Sequence, residues 1–199
     1  VVPYTRGRER MRPVAEILEE ATCLGADGHR EVHLLGQIVN HYQAPDSPEC
    51  DFPELLERLQ CVPGIARIRF ASPHPRHVSA GMIEAIAGLP KVCKHLHLPV
   101  QSGSTRVLSL MRRRHTRERY LALVGDVRQQ IPEINLSTDV IVGFPGETID
   151  DFEETLNLVK DVRYHNIYSF KYSERPQTLA ELRMPNTVSE AEKSRRLTE

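Results

Sequence analysis

Five short segments of this 199-residue chain carry side chains able to hold a polar ligand: Gly36-Gln37 with Asn40, Ser72-Pro73-His74-Pro75, Gln101-Ser102-Gly103-Ser104, Gly143 through Glu147, and Tyr172-Ser173. Carboxamides such as Gln37, Asn40 and Gln101 bind an amino group or a carboxylate without adding charge, and the hydroxyls of Ser72, Ser102 and Ser104 both donate and accept. Arg113 offers a guanidinium for a carboxylate, with an outward helix charge as the alternative. Gly143 and Gly146 let a backbone approach a flat ligand closely, and Glu147 either orients that loop or caps the helix after it. Any one of these segments alone reads equally well as a turn or helix cap, because Gly, Ser, Asn and Pro serve both. Five at comparable positions point to a binding edge.

Three further groups could do chemistry. Asp139 lies inside an apolar run, where an unpaired carboxylate would cost several kcal/mol, so it requires a partner; a structural hydrogen bond and a catalytic role both stay open. His74, His95 and His97 are weak metal candidates. The last two share one strand face, and polar lining or packing accounts for them. Arg6, Arg8 and Arg10 alternate, so in an extended segment they face one way and suit phosphate or a bound cofactor.

Positioning these residues falls to repeated strand and helix units, visible as a hydrophobic pattern that switches between strand-like runs and a 3.6-residue period. Pro13 starts a helix with Val14, Ile17, Leu18, Ala21 and Leu24 on one face, ended by Gly25; EVHLLGQ then reads as a strand. Phe52, Leu55, Leu56 and Leu59 form the next helical stripe, Pro63-Gly64 breaks it, and ARIRFAS is a strand. Ser79 caps a third helix, HLHLPVQ is a strand, and Val107, Leu108 and Met111 mark a short helix. Thr116 caps a longer helix carrying Tyr120, Leu123, Val124 and Val127, followed by the strand NLSTDVIVGF. Thr148 with Asp151 resembles a capping box opening a last long helix before the strand NIYSFKYS. ERPQTLAELRMPN reads as a loop, and the charged tail from Ser189 as a helix. Such alternation favours a parallel sheet with helices outside it, and in parallel α/β folds ligands sit at the carboxyl edge of the strands. Each of the five polar segments follows a predicted strand.

Composition narrows the classes. With 40% hydrophobic residues the chain can build one sizeable core, and one domain is the default expectation. The formal net charge of -1 gives no global attraction to polyanions, so nucleic-acid contact must come from local clusters such as TRGRERMR and MRRRHTRER. Solvated faces explain those clusters too. No run approaches the roughly 18 apolar residues that cross a bilayer, and a soluble cytoplasmic protein without a membrane partner is expected. Cys23, Cys50, Cys61 and Cys93 are scattered, matching neither a disulfide scaffold nor a metal knuckle.

Taken in order, VVPYTRGRER, HLLGQIVNHY, RIRFASPHP, HLHLPVQSGSTRVLSLMRR, STDVIVGFPGETIDDFEET and FKYSERPQT resemble six successive blocks of the radical S-adenosylmethionine (SAM) core of the tRNA methylthiotransferases. The match spans nearly the whole chain. HLPVQSGS favours the branch acting on carbon 2 of N6-isopentenyl-adenosine beside the tRNA anticodon over the branch acting on a ribosomal protein. The resemblance implies a partial, open TIM-like (β/α)6 barrel, incomplete at its amino end because the first strand would lie before Val1. It implies a radical SAM core over residues 1–199, without the family's amino-terminal methylthiotransferase domain and carboxyl-terminal TRAM domain. It also implies SAM, 4Fe-4S clusters in the full-length protein, a reducing electron donor and tRNA as partners.

By the same resemblance, Gln37, Asn40, Ser72, Gln101, Ser102, Arg113, Asp139, Gly143 and Glu147 are cofactor-binding candidates, and Arg6, Arg8 and Arg10 are RNA-binding candidates. The family's C-x-x-x-C-x-x-C cluster loop precedes the VPYTRGRE block, and no cysteines of this chain can replace it, so no metal ligand is assigned and the chain alone is expected to be inactive. Ile38 stands where the family usually has asparagine, and Arg112 and Arg114 where it has small residues, which puts local contacts there in question. A second substrate, either a ribosomal protein or another tRNA adenosine, and a non-catalytic barrel lacking its cluster remain open as alternatives.

Overall fold

A computed structural model describes residues 7 and 9–199. They contain five strands and eight α-helices. The described residues divide into two compact units, one comprising residues 9–97 with Asp126–Asn135, the other Leu98–Gly125 with Leu136–Glu199.

In the first unit, helix α1 (Val14–Ala26) leads into strand β1 (Glu31–Leu34), and helix α2 (Phe52–Gln60) into strand β2 (Arg67–Phe70). The strands pair in parallel, Glu31 opposite Arg67 and Leu34 opposite Phe70, so their carboxyl ends share one edge. Helix α2 forms where expected because Asp51 caps it, accepting from Glu54 N at 3.1 Å, and Pro53 suits its first turn. Its stripe of Phe52, Leu55, Leu56 and Leu59 is fully buried, and Phe52 meets Phe70 edge to face at 5.2 Å. Each such side chain contributes about 1.5–3 kcal/mol of hydrophobic stabilisation. Helix α3 (Ala80–Gly88) is capped by Ser79, and strand β3 (His95–His97) follows. Leu96 is buried between the half-buried His95 and His97, the shared face expected of a period of two.

The second unit carries helix α4 (Thr105–Leu110), strand β4 (Asn135–Val142, its first residue in the other unit), helix α6 (Ile149–Val162) and strand β5 (Asn166–Lys171). Helix α5 (Arg117–Gln130) buries Tyr120, Val124 and Val127. Strands β4 and β5 are parallel, Ser137 opposite Asn166 and Val142 opposite Lys171. The segment after β3 runs beside β4, Leu98 N donating to Ser137 O at 2.7 Å and Gln101 N to Asp139 O at 2.8 Å. That double flanking buries Ser137 and Thr138 along with the apolar Leu136, Val140 and Val142. Its buried Thr138 hydroxyl is satisfied, donating to Leu98 O at 2.9 Å and accepting from Val100 N at 3.0 Å.

Helix α6 opens on a complete capping box: Thr148 Oγ1 accepts from Asp151 N and the Asp151 carboxylate accepts from Thr148 N at 2.8 Å. Thr148→Ala is expected to lower stability by about 1 kcal/mol, read from the shift in urea midpoint at unchanged slope. Two expectations change. The segment read as a loop before Ser189 contains a short helix, α7 (Leu179–Arg183), because Thr178 caps it through Glu181 N at 3.3 Å. Gly25 lies within helix α1, which continues to Ala26, and its role is close approach to Pro63 rather than termination. The tail from Ser189 is helical as expected, forming α8 (Glu190–Thr198).

Candidate functional site

At the carboxyl edge of β1 and β2, Gln37 and Ser72 are exposed and Asn40 is buried. Both ends of the Asn40 carboxamide bind the main chain of His74: Nδ2 donates to His74 O at 3.1 Å and Oδ1 accepts from His74 N at 2.8 Å. Asn40 thereby staples the turn after β1 to the turn after β2. Ser72 is held in the left-handed region at φ 61°, unusual for a residue with a Cβ, and its carbonyl accepts from Val39 N at 3.3 Å. Backbone strain of this kind costs about 1–3 kcal/mol and clusters where a ligand is held. His41 and His77 stack at 4.5 Å beside the same turns, and burial with the neighbouring His41 and Arg76 lowers the pKa of His77.

The second edge follows β4 and the segment beside it. Gln101 is buried, again left-handed at φ 73°, and bridges to β4 through its main chain on both sides. Ser102, Gly103 and Ser104 behind it form a buried knot against α6. Gly103 N donates to Thr155 Oγ1 at 2.9 Å, Ser104 Oγ to Asp151 Oδ1 at 2.6 Å, and the Ser102 hydroxyl lies 3.4 Å from that of Thr155. A Cβ on Gly103 would run into the α6 backbone at Glu154 and Thr155, which explains this glycine. Arg113 is half-buried within electrostatic reach of Asp139; burial pushes its guanidinium below the usual value and Asp139 opposes that shift. Arg113 thus gives Asp139 an opposite charge within the same unit.

Asp151 couples the knot to the corner after β4. Burial pushes its carboxyl up, but Arg106, Ser104 and Thr148 donate to it and the net effect holds it well below the ordinary carboxylate range. Because the folded value lies below the unfolded one near 3.8, the stabilisation is present above that pH and is lost as pH falls through the folded value. Thermal melts between pH 5 and pH 2 are expected to show a shallower acid dependence for Asp151→Asn than for the parent.

The Gly143–Glu147 corner answers the choice left open for Glu147. Thr148 and Asp151 cap α6, whereas Glu147 orients the loop: its Oε2 accepts from Gly143 N at 2.6 Å and from Arg196 Nη1 at 2.7 Å. Gly143 and Gly146 have φ of 73° and 82°, conformations only glycine adopts freely. A Cβ on Gly143 would collide with the methylene stem of Lys193, so that face of the corner is covered by α8. Sequence reasoning missed Arg106, Thr155, Lys193 and Arg196; the last two stand in a tail whose charge density reads as solvated, and only their i, i+3 spacing hints at a common face. Arg10 is exposed; Arg6 and Arg8 lie outside the described residues. Arg112 and Arg114 are exposed, and Arg112 is left-handed at φ 57°.

Residues 2–159 match the radical SAM superfamily. The chain belongs to that superfamily. Among curated relatives, the tRNA-2-methylthio-N(6)-dimethylallyladenosine synthase of Alkaliphilus oremlandii is 49% identical over 98% of this chain and 41% of its own, and that of Chlorobium phaeobacteroides is 48% identical over 100% and 44%. The radical SAM chain thus spans about two-fifths of the length of these relatives. Of solved structures, coproporphyrinogen III oxidase from Escherichia coli, a radical SAM enzyme, superposes with a TM-score of 0.67 at 20% identity, covering 93% of this chain and 43% of its own. A radical SAM methyltransferase from Kitasatospora setae gives 0.66 at 16% identity, over 88% and 33%. The expected α/β class with parallel strands, that of the partial radical SAM barrel, is what the chain adopts.

Proposed function

We propose that this radical SAM core belongs to a tRNA methylthiotransferase that places a methylthio group on carbon 2 of N6-isopentenyl-adenosine beside the anticodon. The observation that carries the reading is 48–49% identity, sustained across essentially the entire chain, with relatives named as the synthases of that nucleoside.

The donor set suits SAM. Its methionine end is a zwitterion, and the second unit offers a carboxamide at Gln101, a half-buried cation at Arg113 and an anion at Asp139. Taken by itself, the first unit keeps Gln37, Asn40 and Ser72 as candidates at its own carboxyl edge, with Asn40 holding its two turns together. Gly143 through Glu147 supply a backbone corner, fixed by Glu147 and suited to the adenine end, and the Ser102 hydroxyl beside Gln101 in sequence accepts from Ser104 N at 3.2 Å. When bound, SAM supplies the radical and methyl chemistry. The protein's share is to fix both ends of that molecule and to keep the corner from relaxing.

A 4Fe-4S cluster does not fit the described residues. No three His, Cys, Asp or Glu side chains among them gather to hold a metal, and Cys23, Cys50, Cys61 and Cys93 are free thiols. Cluster ligands are assigned to residues outside the described ones, and the reducing donor to a separate partner. No helix among the described residues is long and apolar enough to cross a membrane; a cytoplasmic location is part of the proposal because tRNA is the proposed substrate. Nucleoside mass spectrometry of tRNA from a deletion strain tests the proposal: loss of the 2-methylthio group, with isopentenyl-adenosine accumulating, is expected. Unchanged tRNA with an unmodified ribosomal protein would overturn it.

A further inference from the structure

Helix α8 carries two cations that charge density alone would place in solvent, yet both are buried. The Arg196 side chain is 4% exposed and that of Lys193 is 1% exposed. Arg196 binds the Glu147 carboxylate at 2.7 Å, is held from behind by Glu192 at 2.8 Å, and lies over the Phe152 ring at 5.4 Å. Lys193 threads its stem across Gly143 and ends on Glu190 at 2.8 Å, with Tyr172 O at 3.4 Å. Burying two cations in one helix turn carries a large desolvation penalty unless they meet compensating charge and dipoles. Both converge on the corner after β4.

We infer that Arg196 is a positioning residue for the cofactor-binding corner, neutralising Glu147 so that this carboxylate can hold the Gly143 amide and fix the turn. This rests on the reading of that corner as part of a SAM site. Glu147 is 99% enclosed at its side chain, and Oε1 has no hydrogen-bond partner among the described residues, so Arg196 provides the close opposing charge. Other charges acting on it are Asp151 on α6 and Arg106 on α4; on α8, Glu192 meets Arg196, and Lys193 lays its stem over Gly143 with its ammonium on Glu190. Burial pushes the Glu147 carboxyl up, while Gly143 N–H and Arg196 oppose that shift. Removing Arg196 removes both a hydrogen bond and the opposing charge, leaving only the Gly143 N–H against burial. At alkaline pH the enclosed carboxylate is then uncompensated and the corner relaxes; at lower pH the neutral acid still accepts from Gly143 N and the corner re-forms.

The test is calorimetric binding of S-adenosylhomocysteine to the full native chain between pH 6 and pH 8. The parent is expected to bind with a flat profile. Arg196→Gln should bind about tenfold more weakly at pH 8, the loss that follows from misplacing one charge-assisted contact, and recover toward the parent at pH 6. Arg196→Lys should restore part of the affinity, and the double variant Glu147→Gln with Arg196→Gln should restore most of it without pH dependence. The double variant also serves if the single one does not fold, because it leaves no buried charge unpaired. A lowered melting temperature with parental affinity at every pH would make Arg196 merely structural and overturn this inference alone. Absence of binding by the parent would overturn the reading of the site and this inference with it.

Discussion

Glu147→Ala is expected to lower the stability of this protein by about 3–5 kcal/mol, because it removes the enclosed carboxylate and leaves the buried Arg196 guanidinium with only the more exposed Glu192 to meet it. The two side chains are 1% and 4% exposed, so water cannot replace the lost partner. The same change frees the Gly143 amide, which donates to Glu147 at 2.6 Å, and an unsatisfied buried donor carries its own penalty of about 1–3 kcal/mol. Glu147→Gln should be milder, since its carboxamide oxygen still accepts from Gly143 N. Chemical denaturation of the three proteins at pH 7.5 checks the order parent, Gln, Ala. A Gln variant as stable as the parent would show that the ion pair is not what ties α8 to the corner.

Gly64→Ala should have a comparable effect for a different reason. Gly64 has φ 81°, where an L side chain is strained by roughly 1–2 kcal/mol. A Cβ there would also lie 2.5 Å from Gly25 O and 2.9 Å from Gly25 Cα, contacts that no side-chain rotation relieves. Overpacking against backbone adds about 1–3 kcal/mol, giving an expected total of about 2–5 kcal/mol. The measurement is the drop in thermal midpoint. Gly28→Ala is the control, since that glycine has φ 90° but open space around it. If both variants fall equally, the crossing of α1 with the Pro63-Gly64 turn contributes nothing beyond φ.

Much of the architecture was legible in the residues themselves. The strand-like runs around Val32, Ile68, Leu96, Val140 and Phe170 all became strands, and the caps at Ser79 and Thr148 were found where their sequence signatures stand. Local chemistry decides these features: a period of two or 3.6 selects the element, and a hydroxyl or carboxylate three residues from a free amide ends it. The placement of polar segments after successive strands follows from the same alternation, because parallel pairing puts every carboxyl end of a sheet on one edge.

Tertiary structure alone decided what those polar groups hold. Asn40 and Ser102 carry the residue types of ligand contacts, and their side chains meet His74 and Thr155. Glu147 read as either a cap or a loop anchor, and only the arrival of Arg196, 49 residues later, makes it the anchor. Lys193 and Arg196 read as solvated charge, yet a compensating carboxylate, a carbonyl and a side-chain-free glycine face are what let them be buried. Composition reports how many charges a segment carries; whether a given charge lies in water or in the interior depends on partners distant in the chain, brought into reach only by folding.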